Sequence, residues 1–126
     1  MLKIGDLEKK SAKKRLVAGR YTAEVTFCDY HPEYLNGSAI KVVYRLTNEN
    51  GDEFDFPETF FNDMENPRTA SFSKHLADIG IDPDHFQDFV GVREAFELKK
   101  NVHNNRTVLS IDPASRRVME DDSYDV

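Results

Sequence analysis

Hydrophobic and polar residues alternate strictly in the run RYTAEVTF, which follows Gly19. Tyr21, Ala23, Val25 and Phe27 fall on one face of an extended chain, and threonine and glutamate side chains fall on the other. Because successive side chains of a strand point to opposite faces, this pattern predicts a half-buried strand. The proline and the Asn-Gly pair of the next stretch, DYHPEYLNG, predict a loop.

Two more alternating runs follow this loop. SAIKVVYRLT places Ile40, Val42, Tyr44 and Leu46 on one face. After the turn NENGD comes an aromatic run, DEFDFPETFF, so these two strands are predicted to form a hairpin. Pro57 cannot donate a backbone hydrogen bond, which places it at an edge, a bulge or a strand end.

The period of the pattern then changes from two residues to that of a helix. In RTASFSKHLADIG, Phe72, Leu76 and Ile79 recur at the spacing of one apolar helical face, and the glycine that ends the run is a helix stop. Asp82 followed by Pro83 predicts the N-cap and first residue of a second, short helix. VREAFELKK and TVLSID predict the fourth and fifth strands, joined by the asparagine-rich NVHNNR.

The order of these elements predicts a mainly β protein with one helix between strands three and four. Five short strands in this order are typical of an OB-fold, a small Greek-key β-barrel that binds oligonucleotides or oligosaccharides. We therefore divide the chain into a basic N-terminal arm or short helix (1–18), an OB-fold domain (19–113) and a flexible acidic tail (114–126).

Length and composition are those of one soluble domain. The chain has 126 residues, and 39% of them are hydrophobic. Its single cysteine, Cys28, excludes an internal disulfide and favours a reducing cytoplasm. The N-terminus has no apolar signal region, and no apolar run approaches the length of a membrane span.

Charge is distributed unevenly along the chain. The net charge is -6, but residues 1–20 hold seven Lys/Arg and only two Asp/Glu, whereas residues 120–126 hold four carboxylates and no base. The central part is acidic. An acidic body argues against tight, nonspecific binding of duplex DNA, because neutralisation of phosphates dominates such binding.

The residue types that form catalytic and metal sites are scattered along the chain. The four histidines lie in different predicted elements, and no zinc-binding spacing or phosphate-binding glycine motif occurs. Cys28 could act as a nucleophile only if a histidine that is distant in the sequence lay beside it. The simpler interpretation is that Cys28 is a small structural residue at the end of a strand. We expect no enzymatic activity, no cofactor and no metal.

The framework resembles the single-stranded-DNA-binding-like OB-fold proteins of phages, prophages and integrative elements. The segments that carry the resemblance span about residues 16–113. They are GRYTAEV, AIKVVYRL, FDFPETFF, FSKHLADIGI, FQDFVGVREAFEL and NNRTVLSIDP. The C-terminal MEDDSYDV also resembles the acidic, aromatic-bearing end of single-stranded-DNA-binding proteins, although here the tyrosine is not the last residue. The resemblance implies stoichiometric coating of single-stranded DNA in replication or recombination.

A single-strand interface needs cations for phosphates and exposed aromatic rings for base stacking. The candidate contacts are Lys41, Arg45, Arg93, Lys99, Arg106, Tyr30, Tyr34, Lys13, Lys14 and Arg15. Phe61 alternates away from Phe60 and is expected to point outward. Partner proteins of replication or recombination would bind the tail. Its candidate residues are Glu120, Asp121, Asp122, Tyr124 and Asp125.

Two alternatives remain open from the sequence. The acidic body is also suited to a nucleic-acid mimic that inhibits a host DNA-binding defence protein, with the carboxylates of DEFDFPE and FNDMEN in place of phosphates. A protein-binding adaptor is the other alternative, and homo-oligomerisation is open in each case. A basic stripe across strands two, four and five would favour DNA, whereas clustered acids without a basic groove would favour mimicry.

Overall fold

The computed structural model describes residues 15–34 and 37–119, and it confirms a mainly β fold. Its strands are β1 (Gly19–Tyr30), β2 (Ala39–Thr47), β3 (Glu53–Phe61), β4 (Arg93–His103), β5 (Arg106–Ile111) and β6 (Arg117–Val118). One α-helix, α1 (Pro67–Asp78), and a short 3₁₀ segment, Pro83–Phe89, lie between β3 and β4.

The strands form one antiparallel sheet in the order β3-β2-β1-β4-β5, and β6 pairs with β4. Among the described residues β3 pairs only with β2, and β5 pairs only with β4. The predicted barrel is therefore not closed. The sheet has two free edges, and the groove described below lies between them.

The inner face of the sheet carries the hydrophobic core. Ile40, Val42, Tyr44 and Leu46 are buried, as the alternation in β2 predicts. In β1 the prediction fails beyond Val25, because the register with β2 shifts between Val25 and Phe27. Such a β-bulge inserts one residue and reverses the faces that follow. As a result Cys28 is buried and the ring of Phe27 is exposed.

Helix α1 coincides with most of the predicted run 68–80, although it begins one residue earlier, at Pro67, and ends at Asp78. The side chain of Asn66 accepts hydrogen bonds from the backbone N–H groups of Arg68 and Thr69 and so caps the helix. Phe72 and Leu76 are buried against the sheet, which confirms the predicted apolar face. Within the described residues no helix is long and apolar enough to span a membrane.

The end of the fold lies further along the chain than the predicted boundary at residue 113. Pro113–Ser115 forms a 3₁₀ turn, and Arg117 and Val118 pair with Ala95 and Glu94 of β4. The backbone N–H of Met119 also donates to the carbonyl of Arg93 at 2.8 Å. Residues 114–119, assigned to the tail from the sequence, are therefore part of the folded domain, and Arg117 and Val118 belong to its sheet.

Candidate nucleic-acid interface

The β4–β5 hairpin extends beyond the rest of the sheet as a two-stranded arm, residues 99–110. Pairing between β1 and β4 ends at Gly19 and Leu98, whereas β4 and β5 remain paired up to His103 and Arg106. The turn residues Asn104 and Asn105 have φ values of 53° and 65°. A two-residue turn with both φ angles positive is type I′, whose twist matches that of the strands it joins.

The arm is basic and its surface is solvated. Residues 99–110 contain three Lys/Arg and no Asp/Glu. Lys100 and Arg106 are exposed, and Lys99 forms an ion pair of 3.0 Å with Asp112 at the base of the arm. Val102 is 76% exposed and Val108 is 42% exposed. The arm thus combines positive charge with apolar surface.

Three predicted contacts lie elsewhere, on the outer face of the sheet, and carboxylates flank them. In the strand register Arg45 lies opposite Asp55 on β3 and opposite Glu24 on β1, and Glu24 lies opposite Arg93 on β4. The four strands therefore carry acid, base, acid and base in one row. Lys41 stands beside Asp29 in the same way. Strand two does not belong to a continuous basic stripe.

The loop between β1 and β2 lies at the opposite end of β1 from the arm. Tyr30 and Tyr34 are 46% and 44% exposed. The ring of Tyr30 packs edge-on against Phe86, with 5.2 Å between ring centroids, and Tyr34 contacts His31. Arg15 is exposed. Lys13, Lys14 and all the tail candidates lie outside the described residues.

Exposed phenylalanines add to the aromatic surface of the outer face. Phe61 is 56% exposed, as the sequence predicts, whereas Phe27 reaches the surface only because of the β-bulge. Phe27 pairs with Val43, which pairs with Pro57, so an apolar row crosses three strands beside the row of alternating charges. The strict alternation of the β1 sequence places Phe27 on the same face as Val25, so it does not predict the outward position of Phe27.

A groove of about 500 Å³ occupies the space between the free edges of β3 and β5, beside α1. Its lining includes Glu58, Phe60, Arg68, Phe72, His75 and Arg116. Ser110, the last residue of the arm, also lines it. The basic arm therefore leads directly along β5 into the groove.

The innermost part of the groove adjoins a buried ionic network centred on Glu94. This carboxylate is fully buried and accepts hydrogen bonds from His75 Nε2 and Arg116 Nε, each at 2.7 Å. Arg116 also donates to the hydroxyl of Tyr44 at 2.8 Å. Burial alone would raise the pKa of Glu94, but the hydrogen bond from His75 and the charge of Arg116 outweigh burial and lower it.

Glu58 is the second carboxylate of the groove, and it is incompletely paired. Its side chain is 13% exposed, and Oε2 lies 3.9 Å from the guanidinium of Arg68. Oε1 is buried and forms no hydrogen bond of normal geometry within the described part of the chain, although the Tyr44 hydroxyl lies close enough to lower the pKa of Glu58. Burial raises the pKa of Glu58 against the opposing charges of Arg116 and Arg68.

Arg68 covers the groove from the outside. Its guanidinium lies over the ring of Phe60, 4.8 Å from the centroid, and donates to the carbonyl of Thr59 at 3.0 Å. The opposite face of Phe60 stacks on Phe72, with 4.5 Å between centroids and 6° between planes. Because the side chain of Arg68 is 61% exposed, it can move outward without breaking core packing.

Cys28 is not an activated thiol. Burial, followed by the nearby charge of Asp29, raises its pKa to about 12. A thiol with this pKa stays protonated at neutral pH, whereas a nucleophilic cysteine needs the thiolate. Among the described residues no group of three His, Cys, Asp or Glu side chains is placed to hold a metal ion.

The predicted contacts thus separate into groups. Lys99 and Arg106 lie together on the arm, and Lys41, Arg45 and Arg93 lie on the outer face. Tyr30 is the last residue of β1 rather than a loop residue, and Tyr34 lies in the loop that follows, at the end of β1 away from the arm. Sequence reasoning missed Arg68 and Arg116, and it considered Glu58 only as a carboxylate of the nucleic-acid-mimic alternative. The alternation in β3 and β4 does place Glu58 and Glu94 on the faces that carry Phe56 and Phe96, and that inward position of two charges was the available signal.

Comparison with known proteins gives no relative. No protein-family model, no curated protein and no solved structure matches the chain.

Proposed function

We propose that this protein binds single-stranded nucleic acid through the β4–β5 arm. The observation that carries the proposal is the composition of the arm, which has three cations, no carboxylate and exposed valines in an otherwise acidic protein. Cations that project beyond the sheet can track a phosphate backbone, and base stacking in this proposal is assigned to exposed rings outside the arm, such as Tyr30 and Tyr34. The physiological ligand in this proposal is single-stranded DNA of a phage or mobile element.

The finer fold assignment belongs to the same proposal. An OB-fold is a partly open five-stranded barrel whose β1–β2 and β4–β5 loops contribute to ligand binding. The sheet order and the position of α1 between β3 and β4 are compatible with that fold. In this assignment the arm is the β4–β5 loop, and the loop that follows Tyr30 and contains Tyr34 is the β1–β2 loop.

Partner recruitment in this proposal depends on the tail. The carboxylates of residues 120–126 would compete with DNA for the arm and, once displaced, bind a basic pocket of a replication or recombination protein, with Tyr124 as the apolar anchor. We also propose a cytoplasmic location, because the buried thiol of Cys28 suits a reducing compartment.

The test is fluorescence anisotropy of a labelled oligo(dT) at several salt concentrations. The double variant Lys100→Gln/Arg106→Gln removes two cations of the arm. Each phosphate contact contributes about 0.7 to the slope of log affinity against log salt for single strands, so the slope should fall by roughly 1.4.

Arg45→Gln combined with Arg93→Gln is the matched control, because it removes the same charge from a row that carboxylates already balance. The control should change the slope less than the arm variant. If intact protein does not bind oligo(dT) at low salt, the proposal is wrong. Equal losses in the two double variants would exclude the arm as the main phosphate contact.

A further inference from the structure

We infer that the groove between β3, α1 and β5 binds one unstacked nucleobase and selects a base whose edge carries an amino group. This inference rests on the proposed function, since it concerns the same nucleic acid as it leaves the arm. In this inference Glu58, Phe60 and Arg68, which lie outside the arm, contact the base rather than the phosphates.

The first argument is the unsatisfied carboxylate oxygen. Glu58 Oε1 is buried, and within the described part of the chain its polar neighbour, the Tyr44 hydroxyl, forms no hydrogen bond of normal geometry with it, although a buried charged acceptor normally has a full partner. Leaving such an acceptor without a hydrogen bond costs free energy, and a donor group on a ligand can recover that free energy. The exocyclic amino group of cytosine donates to Glu in protein–DNA complexes.

The second argument is the stacked arrangement above this oxygen. A guanidinium plane already rests on the outer face of Phe60, at 4.8 Å from the ring centroid, and the inner face of the ring is fixed by Phe72. If Arg68 swings outward, a planar base can enter between Phe60 and the guanidinium. Stacking on an aromatic ring and on arginine is the usual way a protein holds an unpaired base.

The third argument is the position of the groove relative to the arm. Ser110 lines the groove, and Arg106 begins the same strand, four residues away. At about 3.3 Å per residue, the separation is on the order of 13 Å, so neighbouring nucleotides can reach both places. A volume of about 500 Å³ also lies within the range of small-ligand pockets.

Cytosine and uracil provide the sharpest test, because uracil carries a carbonyl oxygen where cytosine carries the amino group. Labelled oligo(dT) strands of ~9 nucleotides with one central dC or dU are titrated with the full chain by anisotropy. Site sizes of ~4–16 nucleotides per OB-fold suggest this length. We expect the dC strand to bind roughly tenfold more tightly, which is the size of one hydrogen bond to a charged acceptor.

Two variants assign the preference to the groove. Glu58→Gln should reduce the dC preference to less than about threefold, since a neutral acceptor forms the weaker hydrogen bond. Arg68→Lys keeps the charge but loses the stacking plane, so it should weaken binding of both strands. Arg117→Lys, at an exposed arginine that is neither a candidate contact nor part of the groove lining, is the matched control for Arg68→Lys and should change neither affinity nor preference.

Each outcome decides one question. A dC preference that Glu58→Gln removes supports the inference. Equal binding of the dC and dU strands by intact protein overturns the base subsite and leaves the arm as a nonspecific binder. A dC preference that survives Glu58→Gln also overturns it. Failure to bind either strand overturns the proposed function itself.

Discussion

At the scale of single residues, the ion pair between Glu94 and Arg116 determines how the chain end is held. The side chain of Glu94 is fully buried and that of Arg116 is 12% exposed, and Arg116 reaches Glu94 and Tyr44 from a segment that follows the last long strand. Removing one member of a buried pair leaves the other charge without compensation. The pair therefore fixes the chain end to the core.

We predict that Arg116→Met destabilises the protein by about 3–5 kcal/mol, the usual cost of breaking a buried ion pair. The neighbouring Arg117 is exposed, so Arg117→Met should change stability by about 0.5 kcal/mol or less. Urea unfolding of the two variants against the unchanged protein measures the difference. Equal effects would mean that the Arg116 pair does not hold the fold.

The pKa of Glu58 leads to a pH-dependent prediction. Because burial raises its pKa, the charged form is disfavoured in the fold, and the stability contributed by the protonated form is lost as pH rises through the folded pKa. Glu58→Gln imitates the protonated form. It should raise the melting temperature at pH 7, with a gain that disappears below the unfolded pKa of about 4.3. A gain that persists at low pH would exclude ionisation as its cause.

Sequence alternation predicted which face most residues of β2 to β4 occupy, but it could not reveal how the inward charges pair. Glu94 meets His75 from α1 and Arg116 from the chain end, and these partners are separated by up to 22 positions. Local periodicity carries no information about such contacts. The outward orientation of Phe27 was missed for a related reason. It results from a β-bulge, and a bulge depends on how the strand pairs with its neighbour.

At the scale of elements, β6 is the strand that the sequence pattern did not predict. Its two residues follow a proline turn and precede the acidic run, so RRVM has the composition of a solvated tail. What orders the segment is its contact with β4, where the backbone N–H of Glu97 also donates to Ser115 Oγ at 2.8 Å. Two-residue strands have no detectable period, which explains the early boundary at residue 113.

Truncation tests the revised boundary directly. A chain that ends at Met119 should keep the stability of the full protein, since the β6 contacts and the Arg116 pair are retained. A chain that ends at Pro113 should lose more than Arg116→Met alone, because it also loses the β6 ladder. Thermal unfolding of both chains provides the measurement. Equal stabilities would place the end of the folded domain before β6.

At the scale of the whole molecule, charge is separated between the two hairpins at one end of the sheet. The β2–β3 hairpin carries Glu49, Asp52, Glu53 and Asp55, and the β4–β5 arm carries only cations. β1 separates β2 from β4, which keeps the arm from being neutralised by that hairpin. Total charge therefore conceals a local basic surface, and the acidic-mimic alternative would instead have to use the β2–β3 hairpin.

The acidic residues 120–126 follow Met119, which is bonded to Arg93 at the end of β4 away from the arm. To reach Lys99 at the base of the arm, they must turn back about 20 Å along β4, which is within the span of roughly 24 Å that seven extended residues can cover. We predict that a chain ending at Met119 binds oligo(dT) more tightly than the full chain at low salt, because competing carboxylates are gone. The gain should shrink as salt rises, since the screening length is about 10 Å at 0.1 M. Anisotropy titrations at two salt concentrations provide the measurement.

A full-length variant with Asp121→Asn and Asp122→Asn distinguishes the effect of the tail's charge from the effect of its length. It should recover a large part of the gain seen on truncation, since competition for the arm is electrostatic. If truncation strengthens binding and the neutralised tail does not, the tail acts by steric exclusion. Weaker binding after truncation would show that the tail assists the contact with nucleic acid, and the proposed competition would then be wrong.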